Sequence, residues 1–485
     1  MQRHYHYDNT IFAPASAPGG AIAVIRVSGR YAIDYVSSLF EGKTPLSSAS
    51  GYSVHYGSIR EADGSLLDEV VVSVFRAPHS YTGENSVEIA CHGSEYIVSR
   101  ILARLLEKGA KMASPGEFTQ RAFLHGKMDL SQAEAVADLI ATQTAAAHRV
   151  AMQQLKGGFS RELAHMREEL LHLASLMELE LDFSEEEVEF ADRSQLRELV
   201  GKVLAHCEEL ISSFKLGNAI KNGVPVAIVG NTNAGKSTLL NALLGEERAI
   251  VSDIPGTTRD TVEECYNLGG VLFRFIDTAG LRESDDSIER LGIERSYGKL
   301  AAAQLVLAVL DLTASLPEIR TSAEDIAGRI TGGQHLIFLL NKADAVPVET
   351  SAEVRRALSP LLAEHGKQFY IVSAREGIGL EDLRHAIVSN WQDAGATAET
   401  TLVTNTRHLE ALKNTAAALR RVQDGLGVTP APLAPAALAP VTAPVPTDLL
   451  AQDLRDALHH LGTITGEVTN DEILGNIFKN FCIGK

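Results

Sequence analysis

GNTNAGKS, residues 230–237, lies between the apolar run VPVAIV (224–229) and the helix-like sequence TLLNALLG (238–245). It matches G-x-x-x-x-G-K-[ST], in which glycines let backbone N–H groups turn inward around phosphates at the positive end of the next helix. The pattern assigns Lys236 to the β- and γ-phosphates and Ser237 to Mg²⁺. The other residues expected to line this loop are Asn233, Ala234, Gly235 and Thr238.

The surrounding sequence alternates apolar runs with helical patterns from Val224 to about residue 380. This alternation predicts a mostly parallel sheet with helices on both faces. The expected strands are 224–229, 272–276, 305–310, 335–340 and 368–372.

DTAG (277–280) follows the second of these strands. A carboxylate at Asp277 can reach the shell of the Mg²⁺ ion, and the N–H of Gly280 can reach the γ-phosphate. Thr278 and Ala279 complete the motif.

Two further motifs select the base. NKAD (341–344) places Asp344 where a carboxylate accepts from both the ring N–H and the amino group of guanine, an arrangement that adenine lacks. SAR (373–375) supplies a backbone N–H for the guanine carbonyl. With four elements in this order the sequence predicts a GTPase and disfavours an ATPase. The base-site residues are Asn341, Lys342, Asp344, Ser373, Ala374 and Arg375.

Leu281 stands where Ras-like GTPases hold the glutamine that orients the attacking water, so catalysis must be arranged otherwise. Charged residues follow directly, and each could instead simply keep a surface loop soluble. They are Arg282, Glu283, Asp285, Asp286 and Glu289.

The chain has 485 residues, which suggests about three domains. No stretch of eighteen apolar residues and no signal-peptide core occurs, so we expect a cytoplasmic protein without a membrane span. Four widely spaced cysteines argue against a disulfide framework. The net charge is −18 without a basic run, so a nucleic-acid substrate would need a partner or a small local patch for its phosphates.

The fold class predicted is multidomain α+β and α/β. Residues 1–117 form an N-terminal α+β domain, with strands at 21–27, 70–75 and 86–90 and a helix at 96–109. Residues 118–217 and 381–485 form two halves of a helical domain, into which residues 218–380 are inserted. The second half carries a proline-rich linker at 427–446.

Capping boxes mark two helix starts in these halves. Ser131 with Glu134 predicts a helix running to about Lys156, and Thr469 with Glu472 predicts the last helix. Further helices are expected near 160–182, 194–219 and 407–423. The terminal FCIGK (481–485) resembles a prenylation box only superficially, because Gly484 and Lys485 do not suit one.

These motifs together resemble the MnmE (TrmE) family of tRNA-modification GTPases. The resemblance covers nearly the whole chain. The segments that carry it are PGGAIAVIRVSG (18–29), SYTGENSVEIACHG (80–93), PGEFTQRAFLHGKMDLSQAEAVADLI (115–140), GNTNAGKSTLLN (230–241), DIPGTTRD (253–260), DTAGLR (277–282) and the terminal CIGK.

The resemblance implies an N-terminal folate-binding domain that also dimerises, a central helical domain and an inserted Ras-like doubly wound G domain. It implies that a homodimer works with the FAD-dependent partner MnmG as a heterotetramer on tRNA. The expected reaction modifies carbon 5 of the wobble uridine with a carbon from 5,10-methylene-tetrahydrofolate, for which 5-formyl-tetrahydrofolate is an analogue. GTP hydrolysis is expected to depend on K⁺.

The resemblance also assigns residues. Asn233, Ser252, Ile254 and Thr257 would hold K⁺, Thr258 would reach Mg²⁺, and Glu289 would orient the attacking water. The whole segment Ser252, Asp253, Ile254, Pro255, Gly256, Thr257 and Thr258 is expected at the nucleotide. Arg259 and Arg282 remain alternatives as a cationic finger.

The folate contacts implied by the resemblance are Arg26, Glu88, Lys127 and Lys485. Taken alone, Arg26 and Glu88 would as readily be paired surface residues of strands. Cys482 is expected in the modification centre, as a catalytic nucleophile or a structural thiol. Thr232, the sequence CHGS (91–94) and the proline-rich insert depart from the family pattern. A regulatory GTP switch in ribosome assembly is the alternative function.

Overall fold

The computed structural model describes residues 9–182, 193–244, 264–276, 300, 303–331, 334–365, 368–396, 401–427, 447–469, 471–479, 481–482 and 484. The chain divides into two compact units. The first comprises Met1–Ala141, Ala151–Cys207 and Glu410–Lys485, and the second comprises Thr142–Val150 and Glu208–Leu409.

A seven-stranded sheet lies in the first unit. Its strands are β1 (Ile11–Pro14), β2 (Ile22–Ser28), β3 (Phe40–Gly42), β4 (Ser53–Arg60), β5 (Leu66–Phe75), β6 (Ser86–His92) and β7 (Lys111–Met112). The order across the sheet is β3-β4-β5-β6-β2-β1-β7, and only the β1–β7 pair is parallel. The strands expected at 21–27, 70–75 and 86–90 are present, whereas β1, β3, β4 and β7 were not predicted.

One face of this sheet carries the core. Ile25, Val27, Val72 and Ile89 are fully buried and pack with the helices Ala32–Ser37 and Glu95–Glu107. On β2, β5 and β6 the residues of opposite parity are mostly polar or less buried, as period-two alternation predicts. Arg26 belongs to this second set. On β1, Ile11 and Ala13 are buried in a separate small cluster with Phe118.

Outside the second sheet, the described ranges contain further helices at Glu117–Leu124, Leu130–Ala141, Ala145–Leu155, Gly158–Asp182, Arg193–Asn222, Thr406–Gly427, Thr447–Thr465 and Asp471–Phe478. A short 3₁₀ turn spans Leu46–Ser48. No helix in the described part of the chain combines the length and the apolar character that a bilayer crossing requires.

The capping box predicted at Ser131 is wrong. The reciprocal pair is formed by Asp129 and Gln132: the N–H of Gln132 donates to Asp129 Oδ1 (2.9 Å), and the N–H of Asp129 donates to Gln132 Oε1 (3.0 Å). Ser131 instead lies within the first turn and donates to Asp129 Oδ1 (2.8 Å). This helix ends at Ala141 rather than near Lys156, and a second helix begins at Ala145. The box predicted at Thr469 depends on the side chain of Glu472, which lies outside what the structure describes.

The second unit contains a six-stranded sheet. Its strands are β8 (Val224–Val229), β9 (Glu264–Leu268), β10 (Val271–Phe275), β11 (Leu305–Asp311), β12 (His335–Asn341) and β13 (Gln368–Ile371). The order is β13-β12-β11-β8-β10-β9, and all pairs are parallel except β9–β10. The parallel strands match the predicted apolar runs, and β9 was not predicted.

Separate hydrophobic clusters cover both faces of this sheet. The packed helices are Lys236–Leu244, Leu316–Gly328, Val348–His365 and Leu380–Ala396. The fold is therefore a doubly wound α/β sheet, as expected. Leu383, Ile387 and Trp391 of the last helix are buried against it, so the core of this unit continues past residue 380, where the sequence placed its boundary.

Arg121, which sequence analysis did not single out, is completely buried in the first unit. Its guanidinium donates to Glu117 Oε1 (2.7 Å), Glu84 Oε1 (3.1 Å) and Asn9 Oδ1 (3.0 Å). Glu84 also accepts from Ser28 of β2 (2.9 Å). One buried cation thus ties a loop, a strand and a helix together around two carboxylates.

Replacing Arg121 by Met should destabilise the first unit by about 3–5 kcal/mol, because both carboxylates would remain buried without their cation. Hydrogen exchange of the β2 amides, followed by mass spectrometry, measures this loss. Arg100→Met is the matched control: Arg100 also makes two hydrogen bonds to a carboxylate, that of Glu61, but its side chain is 40% exposed. Equal protection of β2 in the wild type and the Arg121 variant would contradict a stabilising role.

Candidate functional site

The phosphate loop begins where β8 ends and leads into the helix that starts at Lys236. Gly230 and Gly235 both have positive φ, +149° and +95°. A Cβ at Gly230 would lie 2.2 Å from the carbonyl oxygen of Val309, and one at Gly235 would lie 2.3 Å from Asn341 Nδ2. The close approach of neighbouring strand ends therefore requires glycine at both positions.

The side chain of Lys236 is hydrogen-bonded to the backbone of the phosphate loop. Its Nζ donates to the carbonyl oxygens of Gly230 (2.9 Å) and Asn231 (2.8 Å). Burial lowers the pKa of this ammonium group. An anion at the loop would stabilise the charged form, so the geometry favours binding of a phosphate group.

Asn341, at the end of β12, joins two loops. Its Nδ2 donates to the carbonyl oxygen of Ala234 (2.8 Å), and its Oδ1 accepts from the backbone N–H of Ala374 (3.0 Å). The side chain is almost completely buried. The phosphate loop and the 373–375 loop are thereby held at one edge of the sheet.

Asp344 and Ser373 meet at the same edge. Ser373 Oγ donates to Asp344 Oδ1 (2.5 Å), and the N–H of Ala343 donates to the carbonyl oxygen of Val372 (3.2 Å). The side chain of Arg375 is 82% exposed, so only its backbone belongs to this arrangement. The carboxylate of Asp344 is oriented, as recognition of a base through two hydrogen bonds requires.

Asp311 is a member of this site that sequence analysis missed. It ends β11 directly beside Asn341 of β12, and its Oδ2 lies 2.6 Å from Lys342 Nζ. Burial acts to raise the pKa of Asp311, but hydrogen bonds from Lys342 and Thr313 outweigh it and lower the pKa. The signal that could have identified Asp311 is an acidic residue at the end of the apolar run that precedes the NKAD strand.

Several predicted residues lie outside the described residues. They are Ser252, Asp253, Ile254, Pro255, Gly256, Thr257, Thr258, Asp277, Thr278, Ala279, Gly280, Glu289 and Lys485. Within the described residues no cluster of three or more His, Cys, Asp or Glu side chains forms a metal site. Two of the predicted cation ligands lie among the described residues: Asn233, with φ +59°, on the phosphate loop, and Ser237 in the first turn of the helix that follows.

A second constellation lies in the first unit. Arg26 of β2 is directly opposite Glu88 of β6, and its Nε and Nη2 each lie 2.9 Å from Glu88 Oε1. The rings of Tyr81 and Phe118 lie 5.3 and 5.7 Å from the guanidinium carbon, within the range of cation–π attraction. Arg26 Nη1 also donates to the carbonyl oxygen of Gly484 (3.3 Å).

The structure therefore brings the terminal segment to the predicted Arg26–Glu88 pair. Cys482 is exposed, and its carbonyl oxygen accepts from the N–H of Gly116 (3.4 Å). Lys127 is exposed and donates to the carbonyl oxygen of Pro78 (3.0 Å), in the loop that also carries Tyr81. An aromatic-lined Arg–Glu pair is suited to a flat, polar heterocycle.

The fold and the first site define a P-loop protein with the parts of a guanine-nucleotide site. Residues 10–127 match the family model for the GTP-binding protein TrmE N-terminus, and residues 130–482 match that for the MnmE helical domain. The chain belongs to the MnmE family of tRNA modification GTPases.

Relatives match over their full length. The tRNA modification GTPase MnmE of Bacteroides thetaiotaomicron is 50% identical over 481 residues, which cover 98% of this chain and 99% of that protein. That of Parabacteroides distasonis is 48% identical and covers 98% and 100%. The solved G domain of the T. maritima FeoB iron transporter is 25% identical, covering 34% of this chain and 97% of that chain, at a TM-score of 0.25. A score this low does not bear on the fold.

Asp344→Asn should shift base preference from guanine toward xanthine, because the amide presents an N–H donor opposite the second carbonyl of xanthine. Competition between GTP and XTP for a fluorescent nucleotide measures the change. Ser373→Ala, which removes the hydroxyl that orients Asp344, should weaken GTP binding without favouring XTP. Undiminished preference for GTP in the Asp344→Asn variant would remove Asp344 from the base site.

Proposed function

We propose that this chain hydrolyses GTP to drive modification of carbon 5 of the wobble uridine in tRNA, with a one-carbon unit supplied by a tetrahydrofolate. The observation that carries the GTPase part is the convergence of the phosphate loop, Asn341, Asp344 and Ala374 at one edge of the sheet. Membership of the MnmE family supports the tRNA part.

In the proposed hydrolysis, the phosphate-loop N–H groups and Lys236 bind the β- and γ-phosphates. Ser237 and Thr258 would hold Mg²⁺, which supplies charge compensation at the phosphates when bound. The carboxylate of Asp277 would reach the shell of the Mg²⁺ ion, and the N–H of Gly280 would reach the γ-phosphate. Because Leu281 cannot orient water, Glu289 takes that role in this proposal.

A potassium ion would be held by Asn233, Ser252, Ile254 and Thr257. Asn233 fits this role, because its side chain carries a neutral amide oxygen. The residue has a left-handed backbone and is exposed on the phosphate loop. Neutral oxygens suit a large monovalent cation. The ion would supply the positive charge that an arginine finger supplies in other GTPases.

The Arg26–Glu88 pair is the proposed folate site, together with Lys127 and Lys485. The hydrogen-bonding groups of this pair fit a reduced pterin. Both Arg26 contacts use Oε1 of Glu88, so Oε2 can accept a hydrogen bond from a ring N–H or amino group. The faces of Tyr81 and Phe118 add apolar surface. The folate supplies the transferred carbon, and these side chains bind and orient its ring.

Cys482 would act beside this ring, because the terminal segment is seated on Arg26 through Gly484. The proposed partners are a second copy of the chain, the FAD-dependent protein MnmG in a heterotetramer, and tRNA in the cytoplasm. With a net charge of −18, we expect most phosphate contacts with tRNA to come from the partner or from a small local basic patch.

Cells that lack this protein should lose the wobble-uridine modification, and an Arg26→Ala or Glu88→Ala gene should fail to restore it. The pair binds the carbon donor in this proposal, whereas GTP binds in the other compact unit. Mass spectrometry of tRNA nucleosides measures the modification. Calorimetry with 5-formyl-tetrahydrofolate should show lost binding in both variants while GTP turnover is retained.

Arg30→Ala is the matched control, because Arg30 is a neighbouring exposed arginine that contacts a ring, that of Tyr31. It should restore modification and bind the folate normally. Normal wobble uridines in the deletion strain, together with GTPase activity of the purified protein, would instead support the ribosome-assembly switch.

GTP hydrolysis should be much faster in KCl than in NaCl at equal ionic strength. A cationic group at this position is worth about 10³–10⁵ in rate in other GTPases, which sets the upper range of the effect. Asn233→Gly should abolish the difference, since glycine tolerates the positive φ but carries no amide oxygen. Phosphate release under saturating GTP provides the rates.

Asn231→Gly, two positions earlier on the same loop, should retain the potassium effect. Equal rates of the wild type in the two salts would defeat the cation model and favour Arg259 or Arg282 as the source of positive charge.

Glu289→Ala should slow hydrolysis with little change in GTP affinity.

A further inference from the structure

We propose that Asp311 is a positioning residue that fixes Lys342 at the base site and so controls how long a guanine nucleotide stays bound. The inference rests on the proposed GTPase function, because it concerns the same nucleotide site. The NKAD motif itself does not contain Asp311, which lies thirty-one positions earlier in the chain.

The backbone at Lys342 sets the first constraint. Lys342 has φ +66°, one of three positive values found for non-glycine residues in the described ranges. Left-handed backbone is unfavourable for a residue with a Cβ and persists only where the surroundings enforce it. Here Asn341 before it and the turn at Ala343 after it are both hydrogen-bonded to neighbouring loops. The direction in which the lysine side chain leaves the chain is thereby fixed.

The second constraint acts on the far end of the side chain. Lys342 Nζ lies 2.6 Å from Asp311 Oδ2, and the two side chains are 34% and 19% exposed. A charge-assisted hydrogen bond in this half-buried position is stronger than an exposed ion pair. With its backbone and its ammonium group both held, the four-carbon stem of Lys342 has little freedom left.

Asp311 is itself held rigidly. Its other oxygen, Oδ1, accepts from the N–H (2.9 Å) and the hydroxyl (2.6 Å) of Thr313. The N–H of Leu312 donates to the carbonyl oxygen of Asn341 (3.0 Å), which locks the end of β11 to the end of β12. One carboxylate oxygen therefore builds the turn, and the other is committed to Lys342.

This arrangement has a consequence for binding. A lysine loses more rotamer freedom than most side chains when it is ordered, and Asp311 imposes that loss before the nucleotide arrives. Lys342 stands between Asn341 and Asp344 in the NKAD sequence, so in the proposed site its stem would cover a base bonded to Asp344. Release of the lysine should therefore appear as faster dissociation of the nucleotide, with chemistry at the phosphates little affected.

The test is a double-mutant cycle on the full-length chain, with dissociation of mant-GDP measured by stopped flow. Asp311→Asn retains the volume and an acceptor for Thr313 but loses the charge that holds Lys342. We expect its dissociation rate to rise roughly tenfold, the loss of one charge-assisted hydrogen bond. The KM for GTP should rise while kcat stays within about twofold of the wild type.

Lys342→Met provides the second edge of the cycle. If Asp311 acts through Lys342, the double variant should release mant-GDP no faster than Lys342→Met alone, because the interaction is already gone. Asp325→Asn is the matched control: Asp325 also pairs with a cation, Arg329, but on an exposed helix of the same unit. It should leave dissociation unchanged.

Two results would overturn the proposal while leaving the nucleotide site in place. Dissociation unchanged in Asp311→Asn would show that Lys342 needs no tether, and effects that add in full in the double variant would show that Asp311 acts only through its turn. Failure of the wild-type chain to bind mant-GDP would refute the nucleotide site itself, and with it this proposal. Failure of folate binding or of tRNA modification would leave the proposal standing.

Discussion

The buried amide of Asn341 is the interaction on which the nucleotide site depends. Its Nδ2 holds the Ala234 carbonyl of the phosphate loop, and its Oδ1 holds the Ala374 N–H, across 107 and 33 positions of the chain. Parallel strands end at a common edge of the sheet, but that alone leaves their loops free. With this side chain 2% exposed, moving either loop would leave a buried polar group without a partner, which is costly.

Much of the second unit could be predicted because its signals are local. Buried parallel strands appear as continuous apolar runs, and each motif follows the end of one. The strand β9 was not predicted because it is an antiparallel edge strand whose sequence, ECYNL, lacks such a run. Asp311 escaped because its role depends on the register between β11 and β12, which pairs it with Asn341 and which no single segment of sequence specifies.

The first unit was less predictable, because fewer of its signals are local. Its antiparallel strands alternate, so β4, with the exposed Val54 and Tyr56, offered only a weak pattern. The buried Arg121 looked like any surface arginine, since its partners Glu84 and Asn9 are remote in sequence. At Asp129, two overlapping capping patterns competed within three residues. The Asp129–Gln132 box formed, because aspartate caps a helix at least as well as serine and Gln132 lies at the required spacing.

The two candidate sites share one device. In each, a cation is held by a carboxylate on the neighbouring strand, Arg26 by Glu88 and Lys342 by Asp311. The hydrogen-bonded ladder between the strands fixes such pairs more firmly than a loop could. The charged groups are therefore ordered before any ligand binds, and the pairing keeps each half-buried charge compensated meanwhile. Arg26 in addition holds the carbonyl of Gly484, so the same guanidinium that would meet a ligand also anchors the chain terminus that carries Cys482.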